Sequence, residues 1–383
     1  MRFTSATIYQ VRIPFRFAFK HALAERRCAD SVLFSATLAD GATGWGEAAP
    51  RAYLTGETVE TVIADLRVWA NELRAVDFSG GQNPLSLLRP FYVSADAQRK
   101  NAAYAALELA VIDALTKSTG QSAAAGLNLP PTAPRLALTA PLGSARGKKL
   151  RYLTRLCRWL GYRDFKLKVG VDGANASGAK VADADIERIK TVKAIIGADR
   201  DLRLDANAAW DAATAIKIIN AVRPLISSVE QPAATIAELA TIRRATGCPV
   251  MADESLCTRA DAEALLATGA AELWNLRLGK IGGFNGLFAL RDLARQNNIK
   301  LHLGALVGET ALLTNAGRVA ALAAEFAHCE YGYPRILLRG DPFRGGVAGY
   351  RGWGKPLRAD ARGFGVRILP ELLMRVKSLE FRV

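Results

Sequence analysis

The sequence predicts a (β/α)8 barrel joined to a smaller α+β domain, and two observations carry this prediction. After about residue 135, short apolar runs alternate with longer amphipathic runs, as in repeated strand–helix units. Three of the short runs end in an acid, Asp205, Glu230 and Asp253, at spacings of 25 and 23 residues, about one strand–helix unit each. With 383 residues, 50% of them hydrophobic, the chain is long enough for a barrel and a second domain.

Residues 1–130 are predicted to form the smaller α+β domain, which we call the capping domain. Three segments there alternate apolar and polar positions, which indicates a small antiparallel sheet with a hairpin at Asp40-Gly41. These segments are residues 2–13, 31–39 and 42–46. Helical patterns follow at 57–75 and 98–118, and a proline-containing link over 129–134 ends the domain.

The barrel domain is predicted over residues 131–335, with eight candidate strands separated by helical patterns. The strands are expected at 136–141, 164–169, 202–206, 227–230, 249–253, 272–278, 299–304 and 327–331. The C-terminal segment, residues 336–383, is rich in glycine and arginine and has a strand pattern near 364–369. We expect this strand to rejoin the N-terminal sheet, so that the capping domain contains both ends of the chain.

The three acids predict a metal site. Consecutive barrel strands deliver their C-terminal residues side by side, so Asp205, Glu230 and Asp253 would converge on one point. Three unpaired carboxylates would repel one another unless a cation lay between them, and an all-oxygen site suits Mg2+ or Mn2+ better than zinc. The alternative is that each acid is a separate polar strand end that caps the next helix.

The second predicted barrel strand carries a pair of lysines. Alternation along this strand places Lys166 and Lys168 on one side and the apolar residues on the other. Two ammonium groups that point into a barrel mouth repel each other, which would lower the pKa of at least one and make it a candidate general base. The alternative is a solvated lysine pair on an edge strand.

Composition narrows the classes of partner. The formal net charge is +15, but the basic residues are scattered, so we expect no nucleic-acid partner and favour a small anionic substrate. The chain has no run of 18 apolar residues and no apolar signal segment at its start, so we expect no membrane association and a cytoplasmic location. The five cysteines form no metal-binding pattern and are expected to be reduced thiols.

Together, these motifs resemble those of the enolase superfamily, in its muconate-lactonising subgroup. Lys-x-Lys at 166–168, Asp-x-Asn at 205–207, Glu-x-Pro at 230–232 and Asp-Glu-Ser at 253–255 occur in that order, and the combination is highly specific. The resemblance extends over nearly the whole chain, from Gly44-Trp45-Gly46-Glu47 to the eighth strand. It implies a TIM-type barrel and a homo-oligomer.

The resemblance also implies roles for single residues. Asp205, Glu230 and Asp253 match the three metal ligands of the family. Lys168 matches its general acid/base, and Lys166 matches the partner that lowers the pKa of that lysine and helps to hold the substrate carboxylate. The shared chemistry is abstraction of a proton beside a carboxylate, which gives an enediolate whose charge the metal stabilises.

Two positions depart from parts of this family. The family usually has a second catalytic lysine on strand six, 24 residues after the third metal ligand, where this chain has Arg277. An arginine stays protonated and is a poor base, although it can stabilise negative charge or bind a carboxylate. Lys280, nearer the loop, is not expected to replace the lysine. On strand eight, dipeptide epimerases carry an Asp-x-Asp pair, whereas Glu330 matches the single glutamate of muconate cycloisomerases or pairs with an arginine at the rim.

Three more residues are candidates near the barrel mouth. His21 lies in a segment that matches the flexible specificity loop of the family, so it either contacts substrate or lies on the surface. Glu309, which follows strand seven, is a second substrate-binding candidate. His302, on strand seven, is expected to be a satisfied core histidine.

These observations favour a metal-dependent enzyme most like a muconate cycloisomerase, because a syn reaction needs only the base Lys168. The first alternative is a syn-dehydratase resembling o-succinylbenzoate synthase, or a racemase or epimerase of N-acylamino acids or dipeptides. The second is a barrel that binds metal but has lost turnover and acts as a binding protein, which Arg277 would allow.

Overall fold

The computed structural model confirms the predicted fold class, a (β/α)8 barrel beside an α+β domain. It describes residues 1–21, 24–79, 83–130, 137–170, 179–330, 333–345 and 361–383.

The capping domain is built on a four-stranded antiparallel sheet in the order β14-β1-β2-β3. Its strands are β1 (Phe3–His21), β2 (Ala24–Leu38), β3 (Thr43–Ala48) and the last strand of the chain, β14 (Lys377–Arg382). Its helices are α1 (Val59–Leu73), α2 (Pro84–Ala97), α3 (Asn101–Ser118) and α4 (Ala123–Gly126).

Helix α3 is buried along nearly its whole length because it lies between the sheet and the barrel. Two glycines of β3 allow it to approach closely. A Cβ atom at Gly46 would lie 1.8 Å from the Ala106 carbonyl oxygen, and one at Gly44 would lie 2.0 Å from that of Ala110. The Gly-Trp-Gly-Glu motif therefore has a packing role at this contact.

The barrel consists of eight parallel strands in consecutive order, and a bridge between Leu138 and Cys329 joins the first strand to the last. The strands are β4 (Thr139–Leu142), β5 (Asp164–Lys168), β6 (Asp201–Asp205), β7 (Ser228–Glu230), β8 (Val250–Ala252), β9 (Leu273–Leu276), β10 (Lys300–Leu303) and β11 (Phe326–Cys329). The helices are α5 (Gly147–Trp159), α6 (Ala179–Ile196), α7 (Ala212–Val222), α8 (Ile236–Thr246), α9 (Arg259–Thr268), α10 (Leu278–Ile281), α11 (Gly283–Gln296) and α12 (Ala311–Ala320).

The tail returns to the capping domain, but by a different strand from the one expected. After α13 (Pro334–Leu337), the strand near 364–369 is β13 (Val366–Ile368), which pairs with β12 (Phe343–Gly345) in a separate ribbon. Helix α14 (Pro370–Val376) follows, and β14 then pairs with β1. The polar sequence of β14 hid this strand, because one face of an edge strand is solvated.

Two other predictions in the capping domain were incomplete. Helix α2 was not predicted because it contains Pro84 and Pro90; Pro84 occupies the first turn, where a missing N–H costs nothing, and Asn83 caps the helix. The segment around His21, which matches the flexible specificity loop of the family, is part of a hairpin in its described residues, since β1 continues to His21 and β2 begins at Ala24.

Candidate functional site

The three predicted metal ligands lie side by side at the C-terminal ends of consecutive barrel strands. Asp205 ends β6 and is in register with Glu230, which ends β7, while Asp253 directly follows β8. Their exposed fractions are 1%, 1% and 0%. Parallel strands that end at one edge of the barrel bring these acids together, as the spacing predicts.

The charges of the three acids are held in different ways. Burial raises the pKa of Glu230 to about 7, and the neighbouring Asp205 and Asp253 add to the rise, while Lys166 opposes it. For Asp205 burial acts in the same direction, but the ammonium groups of Lys168 and Lys166 outweigh it and hold the pKa at about 2. The pKa of Asp253 is also lowered, because Arg277 and Lys280 outweigh the effect of burial.

This donor set fits a hard divalent cation. It offers carboxylate oxygens, and Glu230 Oε2, a buried atom, accepts no hydrogen bond from any described residue. Lys166 Nζ lies 3.3 Å from this oxygen without making a hydrogen bond to it, so the oxygen keeps lone pairs that a bound cation could use. Oxygen ligands with positions left for a substrate are those that Mg2+ prefers.

Lys168 lies on the wall of this acid cluster. It ends β5 in register with Asp205, and its Nζ donates hydrogen bonds to Asn207 Oδ1 at 2.6 Å and Asp205 Oδ2 at 3.2 Å. The hairpin of β1 and β2 reaches over it, since the Phe19 ring centroid is 5.8 Å from Nζ. The backbone of His21 ends β1 in the same hairpin, but its side chain lies outside the described part of the structure.

Lys166 is surrounded by three carboxylates. Its Nζ lies 2.7 Å from Glu330 Oε1, 3.3 Å from Glu230 Oε2 and 3.4 Å from Asp205 Oδ2. Burial opposes the charged form, yet these three carboxylates raise the pKa of Lys166. Lys166 therefore keeps its charge among these acids, and its expected effect on Lys168 stays a prediction.

Arg277 and Lys280 both bind Asp253. Arg277 directly follows β9, and its guanidinium donates to Asp253 Oδ2 and lies 3.6 Å from Glu230 Oε1. Lys280 is fully buried and donates to Asp253 Oδ1 at 2.9 Å, to the Asp253 carbonyl at 2.7 Å and to the Asn275 carbonyl at 2.9 Å. Sequence reasoning missed this role of Lys280, because a lysine in a short helix carries no signal of its partner.

Glu330 follows β11 and points inward rather than lying free at the rim. Its nearest cation is Lys166, while Arg203 Nη2 is 3.8 Å and His302 Nε2 is 3.4 Å from Oε1. Burial lowers the pKa of His302 to about 4, so the ring is neutral at pH 7. His302 is fully buried, as expected for a core histidine, and its nearest described partner is Glu330 Oε1, 3.4 Å from Nε2.

Glu309 lies in the loop after β10 and is 5% exposed. Its Oε1 accepts a hydrogen bond from the Leu306 backbone N–H at 2.6 Å. Burial raises the pKa of Glu309 to about 8, so the carboxyl is mostly protonated at neutral pH. Among the described contacts, its role is to close the turn of this loop.

A second cluster of acids, at the opposite end of the barrel, was not predicted. Asp164 begins β5 and Asp201 begins β6, and their ligand atoms and those of His328 lie within 4.8 Å of one another. Asp164 is already paired with the buried Arg203, at 3.1 Å, and hydrogen-bonded to Thr139. Arg203 offsets the charge of Asp164, while His328 Nε2 lies 3.7 Å from Asp201.

The fold and the acid cluster define an enolase-type barrel, and a family comparison agrees. Residues 151–372, more than half of the chain, match the family described as Enolase C-terminal domain-like. The chain therefore belongs to the enolase superfamily, and it is an enzyme of the isomerase and lyase kinds found there. No described helix is long and apolar enough to cross a membrane.

Relatives indicate which branch the chain is similar to. It is 28% identical to the L-Ala-D/L-Glu epimerase of Bacillus subtilis (strain 168), over 88% of this chain and 90% of the relative. A dipeptide epimerase from Cytophaga hutchinsonii, solved with Mg and the dipeptide D-Ala-L-Val, superimposes with a TM-score of 0.84 at 25% identity and covers 100% of both chains. A muconate lactonizing enzyme from Pseudomonas fluorescens also has a TM-score of 0.84, at 24% identity, covering 98% of this chain and 99% of that one, which shows likeness of fold alone.

Proposed function

We propose that this protein removes the proton α to a carboxylate of a dipeptide or an N-acylated amino acid, with Mg2+ as cofactor. The observation that carries the proposal is the position of Lys168 Nζ, 3.2 Å from Asp205 in a cluster of three buried carboxylates. Sequence reasoning placed a muconate substrate first. The relatives that match over most of the chain favour its alternative, the epimerases.

The acids, Lys168 and the hairpin have different roles in this proposal. Asp205, Glu230 and Asp253 would hold Mg2+, which supplies positive charge for the negative charge that develops on the substrate carboxylate. Lys168 takes the α-proton on its own face of the substrate. The hairpin that carries Phe19 covers this lysine and limits the access of water.

The stereochemical outcome depends on Arg277, because inversion needs an acid or base on both faces of the α-carbon. Arg277 stands where a second lysine would be, and a guanidinium stays protonated near neutral pH and is a poor base. Lys280 is fully buried and committed to three oxygen atoms, so it is not free to reach substrate. These features favour exchange of the α-hydrogen on one face, and they keep a syn cycloisomerase or dehydratase as the second candidate.

The test is to incubate L-Ala-L-Glu and a panel of dipeptides and N-succinylamino acids with the enzyme and Mg2+ in D2O. Proton NMR reports loss of the α-proton, and chiral chromatography reports inversion. Exchange that depends on Mg2+ and on Lys168 supports the proposal, and inversion would identify an epimerase despite Arg277. If no member of the panel exchanges, the proposal fails, and loss of the ultraviolet absorbance of cis,cis-muconate then tests the second candidate. Any metal-dependent turnover also excludes a pure binding protein.

A further inference from the structure

We propose that Arg277 competes with the divalent cation for the same carboxylate oxygens, so that the metal binds fully only when the guanidinium leaves Asp253. This inference rests on the metal site of the proposed function. It makes Arg277 a group that couples metal binding to the arrival of an anionic substrate.

Two cations bind the carboxylate of Asp253. Its Oδ1 accepts a hydrogen bond from Lys280, which is 0% exposed and is also fixed by the carbonyl oxygens of Asp253 and Asn275. A lysine held by three oxygens in the interior does not leave its place readily. The oxygen that remains for a metal is Oδ2, which accepts from Arg277.

Glu230 also lies close to the Arg277 guanidinium. Its Oε1 accepts a hydrogen bond from Asn275 Nδ2 at 2.7 Å and lies 3.6 Å from the Arg277 guanidinium. The guanidinium therefore lies against two of the three acids that would hold the metal. In a buried site, a divalent cation bound by these acids would repel a guanidinium bound to the same acids.

The acids around Arg277 already have cations beside them. Four carboxylates meet at this end of the barrel, and five cations contact them. The acids are Asp205, Glu230, Asp253 and Glu330, and the cations are Lys166, Lys168, Arg203, Arg277 and Lys280. Arg203 is shared with Asp164. A lysine can lower its charge by losing a proton, whereas an arginine cannot. The cluster can accept a divalent cation only if the guanidinium moves away or an anion arrives.

A substrate carboxylate supplies such an anion. The Arg277 side chain is 13% exposed, more than any of the three acids, so part of it is accessible to a small anion. A planar guanidinium binds a carboxylate with two parallel hydrogen bonds. The substrate would thus take the guanidinium from Asp253 and make Oδ2 available to the metal.

The test uses Mn2+ as a spectroscopic probe, titrated into the full-length protein and followed by electron paramagnetic resonance of the free ion. Arg277→Met keeps much of the side-chain volume and removes the charge, and it should bind Mn2+ at least tenfold more tightly. Arg26→Met is the matched control, because Arg26 pairs with Asp30 at 3.7 Å in the hairpin and is expected to stay within twofold of wild type. Arg277→Lys, with its shorter reach, should also bind more tightly than wild type.

A second readout is thermal unfolding with and without EDTA. Removal of the Arg277 guanidinium leaves more of the negative charge of Asp253 and Glu230 without a neighbouring cation. The melting temperature of Arg277→Met should therefore depend more strongly on Mn2+ than that of wild type. If all variants bind Mn2+ equally, the competition does not exist. If none binds Mn2+, the metal site itself is wrong, and the proposed function fails with it.

Discussion

At the scale of single residues, the chemistry of this barrel depends on how each charge is held by its neighbours. Lys166 is surrounded by Asp205, Glu230 and Glu330 and acts as a fixed counter-ion. Lys168 contacts one carboxylate and one amide oxygen and lies beneath Phe19, on the wall where a substrate would lie. Two lysines in one Lys-x-Lys motif thus have different positions and different expected roles.

Replacement of Lys168 by alanine tests its role as a base. Exchange of the substrate α-proton should fall by about 10²- to 10⁴-fold, the usual contribution of a positioned acid or base. The measurement is the rate of deuterium incorporation by NMR. Mn2+ binding should persist, because Asp205, Glu230 and Asp253 remain. Full exchange in this variant would rule Lys168 out.

Replacement of Lys280 by methionine tests its role as a fixed partner of Asp253. The change leaves a buried carboxylate and two carbonyl oxygens without their donor, so unfolding free energy should fall by about 3–5 kcal/mol. Urea denaturation measures the loss. Lys300→Met, at an exposed position on β10, is the control and should change stability by less than about 0.5 kcal/mol. Equal stability of both variants would contradict the assignment.

At the scale of elements, buried glutamates accept hydrogen bonds from the first backbone N–H groups of helices that lie far away in sequence. Lys100, the N-cap of α3, makes no side-chain cap, and Glu57 accepts instead from the backbone N–H groups of Ala102 and Ala103 at 2.8 and 2.9 Å. Such a carboxylate satisfies two free donors at the positive end of the helix. Its burial has an electrostatic cost, which appears as a pKa raised to about 7.

This raised pKa predicts a pH dependence of stability. Between the ordinary value of 4.5 and about 7, the folded protein binds more protons at Glu57 than the unfolded chain, so stability falls as pH rises through this window. The contribution is about 3 kcal/mol and is complete above pH 7. The difference in unfolding free energy between wild type and Glu57→Gln should therefore change between pH 5 and 8. Glu72→Gln, at an exposed position in α1, should follow wild type at every pH; a parallel result for Glu57→Gln would contradict the prediction.

At the scale of the whole molecule, buried acids of the capping domain join it to the barrel. Glu108, on α3, accepts hydrogen bonds from the backbone N–H groups of Phe284 and Asn285 at the start of α11. Glu47, at the end of the Gly-Trp-Gly-Glu motif, accepts from both the backbone and the hydroxyl of Thr310, the N-cap of α12. Each carboxylate would lose its donors if the domains separated, so separation is costly.

We therefore predict that the described domains unfold in one transition. Far-ultraviolet circular dichroism, dominated by the barrel helices, and tryptophan fluorescence from both domains should give the same urea midpoint. Glu108→Ala should lower that midpoint for both signals by the same amount, since it removes a shared contact. Two separate midpoints in the wild-type protein would show that the interface is weaker than these contacts indicate. The homo-oligomer expected from the family resemblance stays a prediction.

The sequence by itself determined the barrel, the order of its strands and the acids at their ends, because strand periodicity and strand–helix spacing are local properties of the chain. Tertiary structure alone decided which cation each acid meets. The contacts of Arg277 and Lys280 with Asp253, and of Lys166 with Glu330, join different strands, and closure of the barrel sets their distances. Tertiary structure also decided that the polar segment β14 is a strand, because it becomes one by pairing with β1. A side chain's charge is written in the sequence, but the partner that fixes its pKa and its role depends on the fold.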